Sequence, residues 1–350
     1  MAAVPGRRKC VSIITVIGSG VMGSALSFPA RDNGHEVRLV GTMLDRDIID
    51  SIRQNRYHPT LDRVLPQGVK AYQLEELSEA LTGCDFVIGG VSSFGVDWFA
   101  EKILPDLPAG LPVLSVTKGM LDQPDGTLTP YPHFYQSRVP GGSYNAIGGP
   151  CTSYELADRD QSQVCFCGED MALLRRLRDA MQTDYYHISL STDVVGVECA
   201  VAMKNAYALA VTIAAGISLR DGDVQHYNSQ AALFGQSVRE MRRLLRLCGA
   251  KDENIVYGAG DLYVTIYGGR TRKLGILLGK GLSFDQAIEQ LSGVTLESVV
   301  ISTRTARAVR ALIASGQVPE GDFPLLLHID DIINHGAKVQ IPWDRFTRED

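Results

Sequence analysis

The chain has 350 residues, 45% of them hydrophobic and 21% charged, with a formal net charge of −6. That length sets a prior of two domains of roughly 150 residues each, and the acidic balance excludes bulk binding to nucleic acid or to an anionic membrane surface. Seven cysteines, odd in number and without paired Cys-x-x-Cys spacing, fit free thiols in a reducing cytoplasm and argue against a disulfide framework or a metal centre.

In chain order, "MAAVPGRRKCVSIITVIG" sets basic residues before an apolar run. The run is short and breaks into Gly-Ser-Gly, so it predicts a first strand and not a secretory signal. "VMGSALSFPARDNG" predicts a helix closed by Gly34, "HEVRLVG" a strand, and "DRDIIDSIRQN" a helix. "CDFVIGGV" and "LPVLSVTKG" are strand-length apolar runs separated by "WFAEKILPDL" at helical spacing. "YNAIGGP", "SQVCFCG" and "YYHISL" add strands, with a helix at "MALLRRLRDAMQ". Alternation of this kind predicts a doubly wound parallel sheet. From Asp193 the patterns are long and helical, so the boundary is placed between 1–192, a dinucleotide-binding α/β domain, and 193–350, an all-α domain.

Gly18, Gly20 and Gly23 form Gly-x-Gly-x-x-Gly between a strand and a helix. The first glycine permits the tight turn, the second lets backbone approach a pyrophosphate, and the third lets helix pack on strand. Gly18, Ser19, Gly20, Val21, Met22 and Gly23 are therefore the candidate cofactor loop, with Ser92 at the end of a later strand beside it. An acidic residue is expected after the second strand to hold ribose hydroxyls, but Gly41-Thr42 stand there, with Asp45 and Arg46 a few residues late. An arginine nearby accommodates a 2′-phosphate, so NAD and NADP both remain open. Lys118 closes a strand at the carboxyl edge, where such sheets bind ligands.

The second domain opens with "ECAVAMKNAYALAVTIAAGISL", long enough to cross a membrane but carrying Glu198 and Lys204. Both charges would lie in hydrocarbon, so a buried soluble helix is predicted and no membrane span. A lysine among alanine, methionine and valine is costly unless paired, and burial lowers its pKa toward proton exchange at neutral pH. Lys204 is thus the candidate general acid/base, beside polar Asn205. After a glycine-rich turn come Asp261, suited to balance a lysine, then Thr265, and Arg270, whose guanidinium suits a phosphate or carboxylate. Arg272 and Lys273 read as a solvated helix start.

Together "VIGSGVMGSA", "SVTKGM", "GGPCTSYE", "DVVGVECAVAMKNAYALAVTIAAGI", "NSQAALFGQSVREMRRL" and "GAGDLYVTIYGGRTRKLGILLGKG" resemble the NAD(P)-dependent glycerol-3-phosphate dehydrogenase family, over about residues 11 to 340. The resemblance implies a Rossmann-like domain, an all-helical substrate and dimerisation domain, and hydride exchange between a nicotinamide and a secondary alcohol or ketone. It implies that Lys118 and Lys204 face the substrate oxygen with Asp261 and Thr265 organising them, that Asn205 and Arg270 grip the phosphate, and that Lys118 and Arg270 also lie by the cofactor. A cytoplasmic homodimer acting on a small phosphorylated polyol or ketose is implied as well.

The sequence departs from that family at the substrate end. Thr271 follows Arg270 where asparagine is usual, and the loop from Asp261 is shorter by two residues. Ile301 occupies the position of a site glutamine or glutamate, and Glu297, one helical turn earlier, is the candidate replacement. His226 and Tyr227 replace a small, glycine-rich approach. Glu297 and Thr271 therefore join the candidate substrate residues, and another polyol phosphate stands beside glycerol 3-phosphate as substrate. The alternatives are a ketopantoate-reductase-like or β-hydroxyacid dehydrogenase, and a non-enzymatic NAD(P)H-binding redox sensor.

Overall fold

A computed structural model describes residues 11–222, 226–291 and 296–347. The basic N-terminal stretch, with Cys10, lies outside the described residues. The strands are β1 (Ile13–Ile17), β2 (Glu36–Val40), β3 (Tyr57–His58), β4 (Arg63–Val64), β5 (Val69–Tyr72), β6 (Phe86–Gly89), β7 (Pro112–Ser115), β8 (Met120–Asp122), β9 (Leu128–Pro130), β10 (Ser143–Gly148), β11 (Ser162–Cys167) and β12 (Tyr186–Ser191).

Eight of them form one sheet in the order β12-β11-β10-β7-β6-β1-β2-β5. Every pairing is parallel except β10 with β11. β1 lies between β2 and β6, so the winding reverses there, and ligands of such sheets bind outside the carboxyl ends of the strands at that reversal. β6 is buried along its whole length and β1 nearly so, as expected of strands covered on both faces. The first helical run is split into Val21–Ala25 and Ser27–Asp32. Pro29 has no N–H to continue the ladder and crowds the turn before it, which accounts for the break at Leu26.

The chain divides into two compact units: residues 1–117 with 132–194, and residues 118–131 with 195–350. A single boundary after Thr192 was expected. Instead residues 118–131, with the β8–β9 hairpin, belong to the helical unit, and Lys118 with them. Strands of three residues carry too little alternation to be recognised in sequence. From Val195 onward the described residues contain no strand.

The helical unit is organised on the helix Val194–Gly222. It is the one helix among the described residues that is long and apolar enough to cross a membrane, yet 83% of its apolar window is buried inside the fold. An element apolar on all sides serves as a central core helix. Its neighbours approach through glycines. A Cβ on Gly258 would stand 2.5 Å from the Ala200 carbonyl oxygen, and one on Gly279 would stand 2.2 Å from that of Ile213. The expected glycine-rich turn before Asp261 is in fact helix, Ile255–Thr265, and Gly258 serves close packing there.

Candidate functional site

In the first unit, the loop after β1 is knit to the end of β6 by three glycines. Gly18 has φ of +105°, which only glycine adopts readily, and a Cβ there would lie 2.7 Å from the Gly90 carbonyl carbon. A Cβ on Gly23 would lie 2.3 Å from the Gly18 carbonyl oxygen, and one on Gly90 would lie 2.6 Å from the same atom. Gly20 is different, with nothing nearer than 3.9 Å to its missing Cβ. Its backbone faces open space at the start of a helix, which fits a pyrophosphate. Val21 and Met22 open that helix. Ser92 is exposed at the head of the 3₁₀ turn Ser93–Gly95 and accepts the Gly95 N–H through its carbonyl at 2.9 Å.

Two side chains brace this loop from below. The Ser19 N–H donates to Asp45 Oδ2 at 3.3 Å, and the same oxygen accepts the Thr42 N–H and hydroxyl, each at 2.9 Å. Asp45 thereby braces the turn through Oδ2. His58, fully buried, accepts the Leu61 N–H on Nδ1 at 3.0 Å, which leaves its proton on Nε2 to donate to the Ser19 carbonyl at 2.8 Å. Burial lowers its pKa, so the neutral ring is the resting form. Gly90 and His58 were not recognised in sequence. The doubled glycine of "VIGGV" was a usable signal for Gly90, while "RYHPT" carries none for His58. Past β2, beside Met43, opens a cavity of about 940 Å³ lined by Leu77, Leu81, Trp98, Lys102 and Ile103 among others. Arg46 stands exposed next to Asp45, paired with Glu75.

In the second unit, Asp261 holds both predicted lysines. Lys204 Nζ donates to Oδ1 at 2.6 Å, and Lys118 donates to Oδ2. The Asp261 side chain is 1% exposed and that of Lys204 17%. Gly258 explains the meeting. It brings its helix against the central helix at Ala200, and one turn further along each helix stand Asp261 and Lys204. Burial lowers the Lys204 pKa, opposed by Asp261 and assisted by the like charge of Lys118. Two ammonium groups therefore share one carboxylate.

The remaining predicted residues divide. Asn205 Nδ2 lies 3.5 Å from Glu297 Oε2, at the limit of a hydrogen bond, and Glu297 also acts electrostatically on Lys204. Ile301, by contrast, is packed into the core. Thr265 donates its hydroxyl at 2.7 Å to the Asp261 backbone carbonyl, a bond along its own helix and not to a lysine. Arg270 is exposed in the first turn of Gly269–Gly279, whereas Thr271 beside it is buried. His226 and Tyr227 are exposed. Arg304 was not anticipated. Its guanidinium donates at 3.3 Å to the Met120 carbonyl and lies 3.4 Å from the buried Tyr131 hydroxyl.

Models of the NAD-dependent glycerol-3-phosphate dehydrogenase N-terminus and C-terminus match residues 13–174 and 193–343. An NADP(+)-dependent glycerol-3-phosphate dehydrogenase of Archaeoglobus fulgidus is 34% identical over 94% of this chain and 97% of its own. The chain belongs to the NAD(P)-dependent glycerol-3-phosphate dehydrogenase family. It is accordingly an oxidoreductase of the CH–OH class that uses a nicotinamide cofactor. The fold agrees: a glycerol-3-phosphate dehydrogenase from Coxiella burnetii superposes with a TM-score of 0.79 over 96% of this chain and 98% of that one, at 23% identity. A ketopantoate reductase from Ralstonia eutropha JMP134 reaches 0.54 over 92% of this chain and 99% of that one, at 17% identity. The two-domain plan is thus shared more widely than the family.

Proposed function

We propose that the chain interconverts glycerol 3-phosphate and dihydroxyacetone phosphate, with Lys204 as general acid/base. The observation that carries this reading is the sharing of one buried carboxylate, Asp261, by Lys204 and Lys118. In the reductive direction the carbonyl oxygen gathers negative charge, which the two ammonium groups stabilise, and Lys204 delivers its proton to that oxygen. In the oxidative direction burial favours the free amine of Lys204, which takes the hydroxyl proton. Asp261 orients both lysines. The bound nicotinamide supplies or accepts the hydride. Arg270 and Asn205 are assigned to the phosphate, with Glu297 orienting the Asn205 amide and Thr265 stiffening the turn that carries Asp261. Thr271 supports Arg270 from the buried side.

For the cofactor, the loop from Gly18 to Gly23 is assigned to the pyrophosphate and the apolar cavity beside Met43 to the adenine, with Ser92 at the strand end. The bracing of the turn by Asp45 supports NADP over NAD, with Arg46 as partner of the 2′-phosphate. Arg46→Ala is expected to reduce kcat/KM for NADPH by about 10- to 100-fold, the worth of a charge-assisted contact, and to leave NADH unchanged. Equal effects on both cofactors would remove Arg46 from the assignment. We also read the enzyme as a cytoplasmic homodimer, for which the mass in solution is the check.

The deciding experiment follows oxidation of NADPH and NADH by purified protein with dihydroxyacetone phosphate, four- and five-carbon ketose phosphates, and ketopantoate. Turnover with dihydroxyacetone phosphate supports the reading. Turnover only with longer ketose phosphates would keep the lysine chemistry and make Thr271 and Glu297 the specificity determinants. Turnover with ketopantoate alone would overturn the substrate assignment.

A further inference from the structure

Glu198 stands six residues before Lys204 on the same helix and is 0% exposed. Neither oxygen of its carboxyl has a hydrogen-bond partner among the described residues. A buried acid in that condition is expensive and calls for an explanation. The charged and titratable groups that reach it, directly or through a shared neighbour, come from several elements. Lys118, just before β8, acts on it directly. Tyr131, just after β9, feels Glu198 together with Glu297 and Arg304 of the helix Glu297–Ala314. Lys118 is in turn bonded to Asp261, which also holds Lys204. Burial pushes the Glu198 carboxyl up to about 8, against the pull of Lys118.

We propose that Glu198 is a positioning residue that acts through Lys118, its buried carboxyl setting how firmly that lysine keeps its proton and hence the charge offered to the substrate oxygen. The inference rests on the reading of Lys118 and Lys204 as the reacting pair. At Asp261 the two lysines share one carboxylate, Glu297 acts on Lys204 as a second anion, and the like charges of the lysines oppose each other. As pH rises and Glu198 ionises, the new anion favours the charged form of Lys118. The linkage is reciprocal: whatever Lys118 does to ease the ionisation of Glu198, ionised Glu198 does to retain the proton on Lys118. No proton is transferred to substrate by Glu198 itself.

The test is the pH profile of ketone reduction, kcat and KM separately, for wild type, Glu198→Gln, Glu198→Asp, and Glu198→Gln in a Lys118→Gln background. Glutamine mimics the protonated acid, so Glu198→Gln is expected to match wild type within about twofold at pH 6.5–7 and to lose rate earlier on the alkaline side, its limb displaced downward by about one unit. Glu198→Asp, which keeps a carboxyl, is expected to restore the limb toward wild type. In the Lys118→Gln background the Glu198 substitution is expected to add nothing. A Glu198→Gln profile superimposed on wild type, or lowered equally at every pH, overturns the proposal, as does an undiminished effect without Lys118. Should Glu198→Gln not fold, Glu198→Met, uncharged and of similar volume, takes its place: an alkaline limb superimposed on wild type overturns the proposal. Lys204→Ala run alongside keeps the two readings apart, since near-normal turnover there sinks the lysine mechanism itself.

Discussion

Two glutamates of the helical unit, Glu198 and Glu240, are both 0% exposed and have opposite surroundings. Glu240 accepts from Tyr207 Oη at 3.0 Å, Gln236 Nε2 at 2.8 Å, and the Leu325 and Leu326 N–H groups at 2.8 and 2.9 Å. It ties the helix Tyr227–Leu247 to the central helix and closes the amino end of Pro324–Asn334. Burial still pushes its carboxyl up to about 7, against those four donors. Glu198 has no such donors. A satisfied polar network holds structure in place, whereas unbalanced charge marks where a fold departs from its stability optimum, and such departures concentrate at reacting sites. The contrast teaches that burial alone does not distinguish scaffold from site; the count of partners does.

The largest expected effect sharpens the site half of that contrast. Lys204→Ala is expected to lower kcat by about 10²- to 10⁴-fold, the usual share of general acid–base catalysis, with cofactor binding and thermal midpoint near wild type. Near-normal kcat would end its role. On the scaffold half, Glu240→Ala orphans the buried Leu325 and Leu326 N–H groups and is expected to cost about 2–6 kcal/mol in denaturant unfolding, at ~1–3 kcal/mol for each. If its unfolding midpoint stays unchanged while kcat collapses, the two glutamates have been assigned the wrong way round. Smaller again, Gly258→Ala pushes against the Ala200 carbonyl and is expected to cost about 1–3 kcal/mol as an overpacked contact. It should also lower kcat by displacing Asp261, and loss of stability without loss of rate would show that the seam does not position the carboxylate.

The smallest effect is the pH dependence of stability. Both glutamates have folded pKa values above the unfolded value, so between that value and the folded one the native state holds more protons, and stability falls as pH rises. The loss is expected to begin near the ordinary carboxylate range of about 4.3 and to be complete by about 7 for Glu240 and about 8 for Glu198. Thermal midpoints of wild type and Glu198→Gln should therefore coincide near the low end and separate above it, with the glutamine variant higher. Parallel curves would show that Glu198 is ionised throughout.

Much of the fold was legible because its signals are local. The strand, Gly18-x-Gly20-x-x-Gly23 and the helix after it are contiguous, and the positive φ at Gly18 is a demand that one residue type meets. The apolar stretch around Lys204 announced both a core helix and an anomaly within it. The same stretch displayed Glu198, but its lack of partners is a property of the packed neighbours and has no trace in the sequence. Asp45 was visible as a ribose candidate and turned out to brace the turn, since its geometry depends on Thr42 and Ser19. The glycines at 258 and 260 were taken for a turn, because glycine marks both tight turns and close helix approach, and only the position of Ala200 distinguishes them.

Hydrophobic periodicity and residue conformational limits over a few neighbouring positions set the doubly wound sheet, the glycine-rich turn after its first strand, the helical second half and the conspicuous lysines. Tertiary structure alone decided that residues 118–131 leave the sheet unit for the helical one, that Asp261 serves two lysines, and that Glu240 is satisfied where Glu198 is not. Those outcomes depend on side chains brought together from distant parts of the chain, and a carboxyl's charge follows from its neighbours' donors and from the water excluded around it.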